Sequence, residues 1–227
     1  VVDRSADHAE RFTGSRPDVM SGAEANERFP FFHSGQKETV GYQSRDAGKI
    51  NPRGYVAAMT ARAVALGAGV IDDHAVEMSV RDDGIHVQTA GGQSIIADRV
   101  LVATGAYATF DNLLPILVPL HVRGRTIVMV PTDAGTQAEL VGMPAVGCHP
   151  GDGRVRTYWQ PPIQYPDGRT FLKIGGGPEG PQRIATMDEL NTWLRSEGDP
   201  VMAGAYREEL HRMMPGLDLS DTITAAC

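Results

Sequence analysis

Apolar and polar residues follow one another in two different ways along this chain, and the change comes near Pro119. Before it, helical and strand periods are mixed. Ser21-Gly22-Ala23-Glu24 has the spacing of a capping box, in which a serine and a glutamate three residues on close each other's backbone donors. It predicts a short helix that ends before Phe29-Pro30, because the residue before a proline is pushed out of helical geometry. Residues 41–48 read as a strand, or a loop with a turn. Asn51-Pro52 is a stronger start, a capping side chain followed by a proline already fixed at helical φ. The helix it opens carries Tyr55, Met59, Arg62, Ala63 and Leu66 among many alanines, small enough to lie close to a sheet, and stops at Gly67 or Gly69. Val70-Ile71 predicts a strand and residues 74–81 another. Asp82-Asp83-Gly84 turns the chain into Ile85, Val87 and Thr89, which alternate with His86, Gln88 and Ala90 at the period of a half-buried strand. Gly91-Gly92 leads into residues 94–97. In DRVLVATGAYA, Val100, Leu101, Val102 and Ala103, with Thr104 at the exit, predict a buried strand that Gly105-Ala106 turns tightly. Residues 49–108 thus form an α/β unit with a small antiparallel excursion.

Beyond Pro119 the runs are strand-like: residues 126–130, 155–160 and 170–174, separated by proline and glycine loops. Two helices follow. Thr186-Met187-Asp188-Glu189 has capping-box spacing and opens the first. Asp199-Pro200 opens the second, which ends near Pro215-Gly216. A mostly antiparallel sheet with helices on one side fits residues 113–220. There are no repeats and no low-complexity segments.

Length and charge narrow the function classes. With 227 residues, one or two domains are expected. The net charge of −7 argues against a nucleic-acid partner, which needs a clustered basic patch. The pairs Arg123/Arg125 and Arg154/Arg156 read as solvated strand faces. Two distant cysteines, Cys148 and Cys227, make no disulfide framework and point to a reducing, cytoplasmic setting. Cys148-His149 is too sparse for zinc, which takes about four ligands. No apolar run reaches the ~20 residues of a membrane span; the longest, residues 113–120, is broken by Pro115 and Pro119. The opening VVDRSADHAERF is neither a signal nor a transit peptide. Without an initiator methionine, and with an abrupt TAAC end, the chain is expected to be the interior of a longer polypeptide.

Few motifs carry chemistry by themselves. The histidines lack metal-binding spacing, and no nucleophile elbow occurs. The acidic pairs Asp72-Asp73 and Asp82-Asp83 fall in turns, where solvation accounts for them. Gly175-Gly176-Gly177 is followed by Pro178 and Pro181 rather than by lysine and a helix, so it reads as a turn and not as a phosphate loop. The end of residues 98–108 is either a ligand-facing strand end or ordinary core. Alternation puts Phe171, Lys173 and Gly175 on one strand face and Leu172 and Ile174 on the other. Lys173 then either points to water or is partly buried for a purpose, since burying an unpaired ammonium is costly. Cys227 reads locally as a small hydrophobe.

Taken together, the block GKINPRGYVAAMTARAVALGAGVIDDHAVEMSVRDDGIHVQTAGGQSIIADRVLVATGAYA resembles the FAD-dependent oxidoreductases of the D-amino-acid oxidase superfamily. An NP helix, a valine-bearing strand, a hairpin, an I-x-AD step and an A-T-G-A strand end follow one another at the family's spacing. RGRTIVMVP, YWQPP, FLKIG and MMPGLDLSDTITAAC are similar to the monomeric sarcosine oxidase and N-methyl amino acid oxidase branch, and the resemblance runs over residues 18–227. It implies α/β and α+β architecture: part of a Rossmann-like FAD-binding domain plus a substrate domain with a largely antiparallel sheet flanked by helices. Residues 45–111 would be the middle of the FAD domain, residues 1–44 and 112–220 the substrate domain, and residues 221–227 the return to the FAD domain. The family's glycine-rich pyrophosphate turn would precede Val1, so the chain alone is not expected to hold FAD tightly.

The resemblance also implies roles. Val76 would meet the adenine through its backbone, and Ala103, Thr104 and Gly105 would pass near the dinucleotide. Lys173 would sit over the flavin and promote its reaction with oxygen, a fixed cation favouring negative charge as it forms in a dry site. Tyr158 would line the pocket, and Cys227 would bond covalently to FAD through sulfur. The substrate would be an amine or amino acid, with oxygen as acceptor and hydrogen peroxide as product, and without membrane or nucleic-acid partners; the alternatives are a flavin dehydrogenase that passes its electrons to a partner, and a non-catalytic domain without bound cofactor. One departure stands out. The branch has a histidine shortly after the lysine where this chain has Gly175-Gly176-Gly177, which implies a different or roomier pocket. The groups that grip a substrate carboxylate are expected outside this chain.

Overall fold

A computed structural model describes residues 18–36, 38–43, 48–111, 113–116, 118–149, 154–177 and 182–227. The polar N-terminal stretch, part of the expected 41–48 loop, and Pro178 and Pro181 lie outside the described residues. In chain order the elements are β1 (Asp18–Ser21), α1 (Gly22–Arg28), β2 (Thr39–Tyr42), α2 (Pro52–Ala65), β3 (Ala75–Arg81), β4 (Gly84–Thr89) and β5 (Ser94–Ala97). A 3-10 turn (Gly105–Thr109) follows, then β6 (Val122–Arg123), β7 (Thr126–Pro131), α3 (Ala134–Glu139), β8 (Val146–Cys148), β9 (Arg156–Gln164) and β10 (Thr170–Gly177). The chain closes with β11 (Arg183–Ile184), α4 (Met187–Leu194), α5 (Pro200–Met213) and β12 (Ile223–Ala226). These divide into two compact units, residues 1–49, 124–181 and 193–227 against residues 50–123 and 182–192.

The first unit is built on an antiparallel sheet of five strands in the order β12-β7-β10-β9-β8. Register puts Val128 and Val130 of β7, Leu172 and Ile174 of β10 and Trp159 of β9 on one face. All five are fully buried. They form one core with Ala203, Tyr206, Leu210 and Met213, which recur along one side of α5 at helical spacing. α5 starts where expected. The Asp199 carboxylate accepts from the amides of Val201 (2.8 Å) and Met202 (3.4 Å), and Pro200 needs no partner in the first turn. The Trp159 indole donates to the Thr157 hydroxyl (2.9 Å), so the buried ring leaves no polar atom stranded. The capping box at Ser21 is present in both directions: the Ser21 amide donates to Glu24 (2.7 Å) and the Glu24 amide to the Ser21 hydroxyl (3.3 Å).

Two strands run longer than their apolar patterns. β9 continues through Pro161-Pro162, where the register against β10 shifts. Its other neighbour, β8, pairs only with Thr157, Tyr158 and Trp159, so the prolines lose no ladder bond on that side. β10 continues through Gly175-Gly176-Gly177, paired to Tyr158, Thr157 and Arg156. The three glycines are therefore strand and not the expected turn, with Gly176 and Gly177 at φ 150° and 158°, which side chains disfavour.

The second unit contains a three-stranded meander, β3-β4-β5, close to the predicted bounds. Asn51 caps α2 as expected, its carbonyl oxygen accepting from the Gly54 amide (3.0 Å), and Gly67 follows the helix at φ 96°. Asp73 does more than solvate a turn: it accepts from the amides of Gly91 (2.8 Å) and His74 (2.8 Å) and so pins the meander's loop. The hydrogen bond from the Thr89 side chain first, and then these two amides, hold its carboxyl below the ordinary value. Two expectations fail. Val70-Ile71 is not a strand, and neither is the run Val100 to Thr104; Leu101 is 90% exposed. An apolar run becomes a strand only with a neighbour to complete its ladder, and among the described residues none pairs with it.

Candidate functional site

Burying Val128, Trp159, Leu172 and Ile174 under α5 forces their strand neighbours onto the opposite face, because side chains alternate. Register assembles that second face. β10 contributes Lys173, Gly175 and Gly177; β9 contributes Gln160, Tyr158 and Arg156; β7 contributes Met129 and Ile127; β12 contributes Ile223 and Ala225. Arg125 and Cys227 extend it by one step. Each amide donates to the other's carbonyl at 2.7 Å, the reciprocal pairing of residues directly opposite in an antiparallel ladder. None of these residues is acidic.

The glycines decide how the side chains lie. A Cβ at Gly175 would stand 2.8 Å from the Tyr158 hydroxyl oxygen and 2.9 Å from the nearest ring carbon, so the tyrosine is laid across Gly175. A Cβ at Gly177 would collide with Arg125 Nη1, so the guanidinium is laid across Gly177, where it donates to the Gly176 carbonyl (3.2 Å). Lys173 is half-buried, its Nζ 5.7 Å from the centre of the Tyr158 ring. That is a cation–π distance. Burial raises the Tyr158 hydroxyl above its ordinary value, the Cys227 side chain adds to this, and Arg125 opposes it. Tyr158 is thus a phenol at neutral pH, able to donate. Cys227 is a free, exposed thiol, and its carbonyl accepts from the Trp193 indole (3.3 Å).

The structure therefore brings Lys173, Tyr158 and Cys227 onto one sheet face. It adds Arg125, which is half-buried rather than the solvated strand residue expected from its pairing with Arg123. The signal was available: Arg125 is in strand alternation with Ile127 and Met129, and a strip of glycines elsewhere in the chain leaves room for a large side chain. Arg154 is likewise no freely solvated residue, since it pairs with Glu38 (3.3 Å) and the buried Glu209 (3.5 Å).

Val76, Ala103, Thr104 and Gly105 belong to the other unit. Val76 is the unmatched residue of a bulge in β3, and its side chain is 51% exposed. The Thr104 hydroxyl donates to Asp111 (2.8 Å). Gly105 opens the 3-10 turn at φ 61°, and no atom lies within 4 Å of where its Cβ would be. Ala103, Thr104 and Gly105 are all exposed. Among the described residues no group of His, Cys, Asp or Glu is placed to hold a metal, and no helix is long and apolar enough to cross a membrane.

The chain is a two-part α/β and α+β protein whose five-stranded antiparallel sheet is covered by α5 on one face and carries cationic and aromatic side chains on the other. The FAD dependent oxidoreductase (DAO) family model matches residues 2–227, and the chain belongs to that family. Among solved structures it is similar to the open form of NikD, described as an unusual amino acid oxidase essential for nikkomycin biosynthesis. The identity is 20%, the TM-score 0.69, and the match covers 98% of this chain and 55% of NikD. A tyrosine-to-phenylalanine variant of NikD gives 21% identity and a TM-score of 0.66, over 93% of this chain and 52% of the variant. Iminodiacetate oxidase (IdaA) from Chelativorans sp. BNC1 gives 19% and 0.56, over 94% of this chain and 51% of that enzyme. The chain thus spans about half the length of these structures, and at such identities they show a shared fold. No curated protein sequence matches it.

Proposed function

We propose that this chain contributes the catalytic sheet face of an FAD-dependent oxidase acting on the C–N bond of an amino acid or secondary amine. The observation that carries the reading is the open face of the five-stranded sheet, whose residues among those described include no acid. Lys173 and Arg125 flank Tyr158 there, in a chain whose net charge is −7. Half-buried cations without acidic partners favour a group that carries or gains negative charge. A flavin fits this chemistry, becoming electron-rich on reduction. FAD would supply the two-electron acceptor, taking a hydride equivalent to leave an imine that hydrolyses and passing the electrons to oxygen as hydrogen peroxide.

The chain's own residues would do the rest. Lys173 would hold a positive charge where negative charge develops on oxygen. Tyr158, protonated and laid flat on Gly175, would line the pocket and donate a hydrogen bond. The exposed thiol of Cys227 would be the attachment point of the cofactor. In the second unit, the exposed backbone at Val76 and at Ala103, Thr104 and Gly105 would serve the adenosine part. On this reading residues 45–111 belong to the FAD domain, residues 1–44 and 112–220 to the substrate domain, and residues 221–227 begin the return. The setting proposed is the cytoplasm, in keeping with two free thiols.

The test is Lys173→Met in the flavin-loaded protein, following reoxidation of reduced flavin by oxygen in a stopped-flow instrument. Loss of one preorganised charge should slow that step by roughly 10²–10³-fold while leaving flavin content unchanged. An unchanged rate assigns the protein instead to flavin dehydrogenases that pass electrons to a partner. Intact-mass spectrometry of the same sample checks Cys227, where the attached cofactor should appear and should vanish in Cys227→Ala.

A further inference from the structure

Arg125 is positioned with more care than a strand-end residue requires. Its guanidinium lies over Gly177 and is held by one bond to the Gly176 carbonyl (3.2 Å). A guanidinium has five N–H donors in a planar fork, and among the described residues no carboxylate and no second acceptor engages it. Two glycines of a mid-sheet strand make room for it and for Tyr158, although glycine in a strand costs stability. Half-buried Ile127 and Met129 continue the same face. The result is an anchored fork with free donors beside an aromatic ring and an apolar strip.

We propose that Arg125 is the carboxylate-binding and specificity-determining residue of this face. It would grip the anionic group of a substrate whose apolar body lies on Tyr158, Ile127 and Met129. Planar, bidentate recognition of a carboxylate is what the fork is suited to. The assignment deepens the oxidase reading and rests on it for the reaction. It also places a carboxylate grip within this chain, where the family resemblance expected one only outside.

The test needs neither flavin nor oxygen. The full chain is titrated with phenylacetate and, separately, with phenylacetamide, its neutral counterpart, while the Arg125 Nε–H resonance is followed by NMR. Phenylacetate should give a saturable shift with a millimolar or tighter Kd and should bind at least about tenfold more tightly than the amide, as a charge-assisted bond warrants. In Arg125→Gln, with ring resonances of Tyr158 as the reporter, that preference should disappear. Arg125→Lys keeps the charge without the fork and should retain part of it. No saturable response in the native chain, or an equal preference for phenylacetate in Arg125→Gln, overturns the proposal. If Arg125→Gln does not fold, an unchanged Kd in Arg125→Lys overturns it equally. Failure here would leave the Lys173 oxygen test standing, and failure of that test would leave this binding result standing.

Discussion

The two units answer the same demand, covering apolar surface, with opposite results. In the first, α5 lies on the sheet and Val128, Trp159, Leu172, Ile174, Tyr206 and Leu210 are sealed from water. In the second, α2 has the better sequence signals, a capping asparagine, a first-turn proline and a closing glycine, yet none of its residues is buried. Tyr55, Val56 and Met59 on the helix, Leu66 at its C-cap, Val76 and Val80 on β3, and Val100 and Leu101 beyond the meander are exposed. The large buried apolar residues of this unit among those described are Leu113, Ile184 and Leu190. Local signals are enough to make a helix or a hairpin. Only a partner surface makes a core.

The largest effect should come from cutting into the closed core. Leu210→Ala should cost about 2–5 kcal/mol, the usual penalty for a buried leucine. Leu66→Ala, at 70% exposure, should stay within about 0.5 kcal/mol. Paired denaturant melts of the two variants check this, and equal losses would erase the contrast. A smaller test concerns the helix caps. Asn51→Ala should remove about 1 kcal/mol of local capping. With none of its residues buried to restore it, α2 should fray, which amide exchange reads as faster exchange confined to residues 52–65.

The smallest effect is chemical. Cys227 is exposed, whereas Cys148 is pushed up to about 11, first by burial and then by the nearby Glu209 carboxylate, whose Oε1 lies 3.7 Å from its sulfur. At pH 8 an alkylating reagent should therefore reach the exposed Cys227 first, and should label Cys148 on the order of a hundredfold more slowly in the folded chain than in the unfolded one, since the thiolate is the nucleophile. The sign for stability follows. A thiol whose folded value is raised keeps its proton in the folded chain after the unfolded chain has lost it. The first unit should thus lose stability as pH climbs from about 9 to about 11.

Much of the site was legible in order but not in arrangement. Lys173 and Tyr158 could be named from FLKIG and TYWQPP, and alternation alone placed Lys173 opposite Leu172 and Ile174. Arg125 was missed because an arginine near another arginine looks like solvated surface, and the glycines that seat it lie some fifty residues away, at Gly176 and Gly177. Those glycines were misread in turn, since three in a row before a proline look like a turn unless Tyr158, Thr157 and Arg156 are known to pair with them. The stretch Val100 to Thr104 was misread the other way. Its apolar run describes a strand, and among the described residues no neighbour completes the ladder.

What the sequence by itself determined were features that need only a few adjacent residues: the Ser21 and Asn51 caps, the start of α5 at Asp199-Pro200, the period-two meander, and the order of motifs that marks the family. What only the tertiary structure decided was which residues meet. Register across β12, β7, β10 and β9 brings Cys227, Arg125, Lys173 and Tyr158 onto one face; in the other unit Leu101, paired to no strand among the described residues, stays in water. The physical reason is range. Caps and turns are closed by bonds three or four residues long, whereas a sheet face and a buried core are made by partners that the chain must bring from far along its length.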